Sequence, residues 1–180
     1  MKLTDTELKK LLELKKIHKA DDIQYKQKVK DKLVNNDLLI YALHNTDLEE
    51  IEASNDEYFG TVIKDYYIIP ETQTIPKHYL CYEVSFNEVN KYNKIIKVAQ
   101  LIFYILCDVH DIQDKKTGIA RHDLIASIII DDFNWCNLFG NQFRLVQDKA
   151  GVTDNDYALR TLIFEQETTN SLSNNKKVFL

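Results

Sequence analysis

Residues 66–86 read YYIIPETQTIPKHYLCYEVSF, and the second half of that stretch decides the fold. Leu80, Tyr82, Val84 and Phe86 recur at every second position, with Cys81, Glu83 and Ser85 between them. Strand side chains alternate between two faces, so this spacing predicts a strand with one buried and one polar face. Tyr66 to Ile69 is a second, shorter strand candidate that stops at Pro70. Proline has no N–H to give to a ladder and sits at strand ends or sheet edges. The linking segment PETQTIP, bounded by Pro70 and Pro76, is polar and conformationally restricted, so a fixed arm is expected.

Towards the C-terminus, Ile95 to Asp108 is the most apolar segment. Both of its faces are apolar, so periodicity leaves strand and helix open, and its isoleucines and aromatics favour a strand. A polar loop, Asp108 to Gly118, leads to an amphipathic helix over Ile119–Phe133. Leu124, Ile125, Ile128 and Ile129 form its expected buried stripe, opposite Asp123, Ser127 and Asp131. Trp135, Leu138 and Phe139 are expected to pack under the sheet. A hairpin closes the chain: Asn141 to Lys149, a turn through Gly151–Asn155, then Tyr157 to Glu167.

Towards the N-terminus, Thr4 to Lys19 reads as a helix with a capping box of Thr4 and Glu7. A second helix begins after Asp21 or Asp22 and carries Tyr25, Val29 and Leu33 at intervals of four, with Lys26, Lys28, Lys30 and Lys32 on its other faces. A third, short helix runs from Asp37 to Leu43. An acidic segment from Asp47 to Glu57 follows, either a solvated face or a patch complementary to the lysines of a neighbouring copy.

The strand and helix order gives an α+β fold: an antiparallel sheet with one packed amphipathic helix, preceded by a small helical segment. The expected division is a helical segment over 1–57, an α+β domain over 58–169 and a mobile tail over 170–180.

The 180 residues are enough for one well-buried core. A hydrophobic share of 44% and a charged share of 28% are those of an ordinary soluble protein. A net charge of −5 argues against coating nucleic acid over a broad surface, which rests on neutralising phosphates. The N-terminus lacks a signal-peptide core, and no apolar run is long enough to span a bilayer, so synthesis in a cytoplasm and no membrane partner are expected. Cys81, Cys107 and Cys136 are spaced for no zinc pattern and read as free thiols in apolar surroundings.

The run Ile68–Thr74 followed by Tyr79–Val84 resembles small neck proteins of tailed bacteriophages that infect Firmicutes, the head–tail connectors and tail terminators. Arg121-His122-Asp123-Leu124 and Asp132-Phe133-Asn134 are similar to the helix of those proteins. Phe139-Gly140 and the closing hairpin are similar to their C-terminal half. The resemblance covers Tyr58 to Thr169. It implies a virion protein, made in the host cytoplasm, that forms a hexameric or dodecameric ring joining portal and tail. It implies neighbouring neck and tail proteins as partners, and DNA passing through the lumen without sequence-specific binding. Candidate intersubunit contacts are Pro70, Glu71, Thr72, Gln73, Thr74 and Pro76 of the arm, with Gly151, Thr153, Asp154 and Asn155 at the hairpin tip.

One cluster could carry chemistry: Asp108, His110, Asp111 and Asp114, then Arg121, His122 and Asp123. Its spacing fits no metal-ligand or nuclease pattern, and His122 and Asp123 point about 100° apart on a helix. The expectation is no catalytic residue, no metal and no cofactor. Tyr66, Tyr67 and Tyr79 with Lys64, Lys77 and His78 could stack on nucleic acid but suit cross-strand pairing better. Two rival readings are a mobile-element protein that binds nucleic acid or a host partner through its lysine-rich helices, and a hydrolase built on the Asp/His loop.

Overall fold

The computed structural model describes residues 4–6, 9, 22–70, 77–88, 96–137, 140–153 and 156–169. Most of the first expected helix, the arm from Glu71 to Pro76, Leu138, Phe139 and the tail lie outside them.

Five strands form one sheet: β1 (Ile63–Lys64), β2 (His78–Glu88), β3 (Ile96–Asp108), β4 (Arg144–Val152) and β5 (Tyr157–Thr169). Their order across the sheet is β1-β2-β3-β5-β4. Every pairing is antiparallel except that of β1 with β2. The helices are α1 (Asp22–Val34), α2 (Asp37–Leu43), the short α3 (Thr46–Glu50) and α4 (Asn55–Tyr58), and α5 (Arg121–Phe133). This is the expected α+β class.

The apolar segment Ile96–Asp108 is a strand and the centre of the sheet, with β2 on one side and β5 on the other. Ala99, Leu101, Phe103, Ile105 and Cys107 are buried beneath the helices. Phe103 meets Phe133 of α5 at 5.0 Å and Phe164 of β5 at 5.9 Å. Such ring pairs contribute about 0.5–1.5 kcal/mol each beyond the area they bury. Tyr25, Val29 and Leu33 of α1 join the same core as the sheet and α5. The narrow apolar stripe of α1 therefore suffices, because the sheet and α2 cover it. Asn36 and Asn45 cap α2 and α3, their side chains accepting the N–H groups of Leu39 and Leu48.

Four expectations are corrected. Tyr66–Ile69 is not a strand; the short strand lies three residues earlier, at Ile63–Lys64. Tyr66–Ile69 instead runs over the sheet, where Tyr67 meets Tyr104 edge to face at 4.6 Å. Tyr104 pairs with Cys81, so this cover explains why Cys81 is fully buried on a face expected to be polar. On α5 the buried stripe is Arg121, Ile125, Ala126, Ile129 and Phe133, while Leu124 and Ile128 are only partly covered. The apolar run of α5 is wider than one stripe, and packing against both β3 and β5 selects the 125/129 row. Finally, Trp135 does not pack under the sheet: it is 57% exposed.

Candidate assembly surface

The sheet ends in two unlike edges. At one edge, β4 pairs with β5 alone, and every residue of Arg144–Val152 except Leu145 is exposed. A bulge between Leu145 and Gln147 sets Val146 out of register and leaves Gln147–Val152 as the regular part of this edge. At the other edge, β1 covers only Leu80 and Cys81 of β2. From Tyr82 to Glu88 the same side of β2 has no strand partner among the described residues. An unpaired strand side presents N–H and C=O groups to any chain that can add a strand.

Of the residues nominated by sequence, Pro70 is buried, and Glu71, Thr72, Gln73, Thr74 and Pro76 lie outside the described residues. Gly151 is not a turn residue; it belongs to β4, opposite Leu159, and is exposed. Thr153 begins the turn, its N–H donating to the Tyr157 carbonyl at 2.9 Å. Asp154 and Asn155 lie outside the described residues. Gly151 and Thr153 thus stand at the distal end of the β4 edge.

Trp135 marks the proximal end of the same edge. Its φ of +64° is rare for a bulky residue, yet its N–H donates to the Phe143 carbonyl at 2.7 Å. Next to it, the Asn134 side chain accepts the Leu145 N–H at 3.0 Å. Val98, Trp135, Arg144, Val146, Glu165 and Glu167 are among the residues around a hollow of about 410 Å³. The sequence reading missed this site because it counted the indole as core. The signal available was its setting, Asn134-Trp135-Cys136-Asn137, in which asparagines flank the chain's one tryptophan just past a helix end.

A family model described as YomW matches residues 5–166. The chain belongs to the YomW family. No curated protein matches it. Among solved structures it is similar to a chain from the virion of a native gene transfer agent particle, with 16% identity and a TM-score of 0.49, covering 81% of this chain and 94% of that one.

In this YomW-family protein the acid- and histidine-rich loop gathers round Arg121, which is only 4% exposed. The Arg121 Nε–H donates to the Asp111 carbonyl at 3.1 Å and an Nη1–H to the Ala42 carbonyl at 3.4 Å. Its guanidinium lies 3.5 Å from the Asp111 carboxylate and 3.6 Å from that of Asp114. Asp114 also accepts from the Thr117 N–H, the Thr117 hydroxyl and the Tyr41 hydroxyl. Those bonds, the two from Thr117 above all, hold its carboxyl down at about 2. His78 is buried, with Nε2 3.4 Å from Asp111, and burial pushes its imidazole down to about 4. His44 completes the group, 3.7 Å from Asp111.

This arrangement is a clamp. Arg121 ties the loop to α2 at Ala42 and to the start of α5, and Asp114 spends its hydrogen bonds on Thr117 and Tyr41, whereas Nδ1 of the buried His78 has no hydrogen-bond partner among the described residues. Among the described residues no three His, Cys, Asp or Glu side chains converge to hold a metal ion. An arginine in the first turn of a helix opposes the macrodipole, and that misfit was the sequence signal that acids must surround it. His110 turns back to its own strand end, Nδ1 2.9 Å from Asp108. His122 and Asp123 do approach, at 3.3 Å, despite their angular separation on the helix. Asp123 is also paired with Arg160, which binds Asp148 of β4 through two hydrogen bonds of 2.7 Å.

The lysines of α1 are occupied within the subunit. Lys26 donates to the Asp65 carbonyl at 2.7 Å, and Lys32 pairs with Asp132 at 2.8 Å. Lys30 lies 3.8 Å from Asp56 and 4.7 Å from the Phe59 ring centre. Lys77 pairs with Asp47. Part of the acidic segment therefore meets lysines of its own copy.

Proposed function

We propose that this YomW-family protein is a structural virion protein of a tailed phage, a tail terminator or head–tail connector of the neck, whose copies close into a ring around the DNA channel. The observation that carries the reading is the pair of unlike open edges, β4 on one flank and the outer half of β2 on the other. Unlike flanks make head-to-tail contacts, and head-to-tail contacts close into rings when the rotation permits. β4 runs opposite to β2 in the sheet, so continuing the sheet from one copy to the next joins the two edges antiparallel. In the rows of the sheet the open part of β2 from Tyr82 to Ser85 stands level with Asp148 to Arg144 of β4 and Gly151 with Tyr79, so Gly151 and Thr153 lie beyond a level join and are kept, with the arm from Pro70 to Pro76 and the tip residues Asp154 and Asn155, as further contacts.

The same-copy engagement of Lys26, Lys30 and Lys32 favours this reading over a nucleic-acid surface on α1. The Arg121 clamp, in which the Asp111 and Asp114 carboxylates are taken up by Arg121, Thr117 and Tyr41, favours it over hydrolysis.

The test is mass measurement and imaging of the purified chain, alone and in particles. A closed ring at the neck is expected. Replacing Val146 and Val152, 53% and 82% exposed, by lysine should leave the subunit folded and abolish the ring. Rings that form normally in that double variant would show that β4 is not the joining edge.

A further inference from the structure

We infer that each copy joins the next out of level by four residues, so that Val152 at the end of β4 seats in the cleft between α1 and the β2 edge of a second copy. This rests on the ring reading above and gives its contact a register. Within one sheet Gly151 stands in the row of Tyr79. The offset join sets it opposite Glu83 of the next copy instead.

The first reason is steric. β1 already occupies the β2 edge at Leu80 and Cys81. In a level join Lys149 and Ala150 of β4 fall where β1 of the next copy stands. Sliding the next copy by four residues clears it: Val152 then faces Tyr82, and Gln147 faces Asn87. The lengths agree. The regular part of β4, Gln147–Val152, matches the open side of β2 from Tyr82 to Asn87, and β4 and β1 stand end to end along that edge.

Side chains agree as well. Val152 shares a row with Ala158 and Cys107, so it lies on the face that carries the helices. On that face the offset puts Val152 and Ala150 beside Tyr82 and Val84 of the next copy. Asp148, beside Phe86, keeps both of its hydrogen bonds to Arg160. On the open face Gly151, Lys149 and Gln147 come beside Glu83, Ser85 and Asn87. A slip by one residue would set Lys149 against Val84 and Ala150 against Ser85. Lys149 is exposed and unpaired among the described residues. In this register it stands diagonal to Glu83 of the next copy, with no side chain on Gly151 between them.

Val152 also has somewhere to go. It is 82% exposed, and the cleft of about 330 Å³ that Tyr82 lines with Phe59 and the half-exposed Ile23 opens on its own face of the sheet. The contact asks for no charge: Lys26 and Lys30 at the rim keep their partners, the Asp65 carbonyl and Asp56.

The offset is also one that closes. Each copy adds four strands to the continued sheet, β2, β3, β5 and β4, a width of about 19 Å, and the slide is about 13 Å along them. Together they tilt the strands by about 35° from the ring axis, within the range at which sheets close on themselves. A level join leaves them upright.

The experiment traps the register with cysteines in the full chain. Cys136→Ser removes the partly exposed native thiol, while Cys81 and Cys107 are buried. Lys149→Cys with Ser85→Cys sets two thiols opposite each other in the offset join. Gln147→Cys with Glu83→Cys does so in a level join. A disulfide needs Cα atoms within about 7 Å, and a four-residue error is about 13 Å. Within one copy β3 and β5 separate the members of each pair, so every link is between copies. Mild oxidation of assembled rings, in solution or in particles, is expected to give a ladder of linked chains on non-reducing gels from the first pair and none from the second. The reverse result, or no ladder from either pair in rings that do form, overturns the offset while the ring stands. Val152→Ala tests the seat. Thermal melts of the single copy should not move, and assembly should need about tenfold more protein. Assembly at the wild-type concentration overturns the seat. Chains that stay monomeric in solution and are absent from the neck overturn the ring reading, and the offset with it.

Discussion

Replacing Arg121 with methionine tests whether the Asp/His loop is a clamp or a site. The side chain is 4% exposed and touches the Asp111 and Asp114 carboxylates and two backbone carbonyls. Methionine fills much of the volume but leaves two acids without their cation, Asp114 among them at 2% exposed. Breaking a buried pair by removing one partner is destabilising by about 3–5 kcal/mol. Against a domain stability of roughly 5–15 kcal/mol that is a large fraction. At this chain length each kcal/mol moves the midpoint by about 2–4 °C, so a fall on the order of 10 °C in calorimetry is expected. Adding Asp114→Asn should recover part of the loss, because an orphaned amide is far less unfavourable than an orphaned charge, and the cycle of single and double variants reads the coupling directly. A single variant that melts within a degree or two of wild type would refute the clamp and reopen the loop as a site kept for chemistry.

Two further tests concern stability. Ile129→Asp buries an unpaired charge and should unfold the subunit, whereas Ile128→Asp, at a partly covered position, should be milder; the reverse order in denaturant melts would move the buried stripe back to the 124/128 row. His78, held at about 4 by burial, takes no proton in the fold until well below its unfolded value of about 6.5. Its contribution is therefore fully present above about 6.5 and falls as pH drops to about 4, by about 3 kcal/mol in all; urea melts across that window should show a loss that shrinks in His78→Gln, and equal losses in both would place the acid sensitivity elsewhere.

What the sequence made legible follows from what each pattern encodes. The β2 alternation, the doubly apolar β3 and the interval of four on α1 report which side chains leave water, and those elements formed where expected. Cover by other segments is not local, so the burial of Cys81 beneath Tyr66–Ile69 could not be seen in β2 itself. The same limit applies to α5, whose stripe is chosen by two strands it meets far along the chain. Trp135 was misplaced for a related reason: hydrophobicity says an indole prefers burial, but the backbone conformation past the helix end decides where it points. The Arg121 clamp was half legible: Asp111, Asp114 and Arg121 were singled out, but as catalytic candidates and not as partners of one another, and Tyr41, His44 and Thr117 come from segments or positions that no local pattern ties to them.

The two open edges also raise the question of what keeps them from joining other sheets. Backbone pairing is indifferent to sequence, and a chain that joined by its edges alone would add strands to any sheet it met. The β4 edge opposes that: the bulge at Val146 breaks its ladder, and Asp148 and Lys149 place charges along it. Such features are how sheets discourage indiscriminate pairing, so the edge contributes direction and spacing but little selectivity. Selectivity must then come from side chains beside the ladder. On this account, deleting Val146 to restore a regular ladder and replacing Lys149 with threonine should leave the subunit folded but let β4 add to other sheets, seen as polydisperse aggregates in light scattering. A chain so altered that stays as monodisperse as wild type would show that the bulge and the charge do not guard the edge.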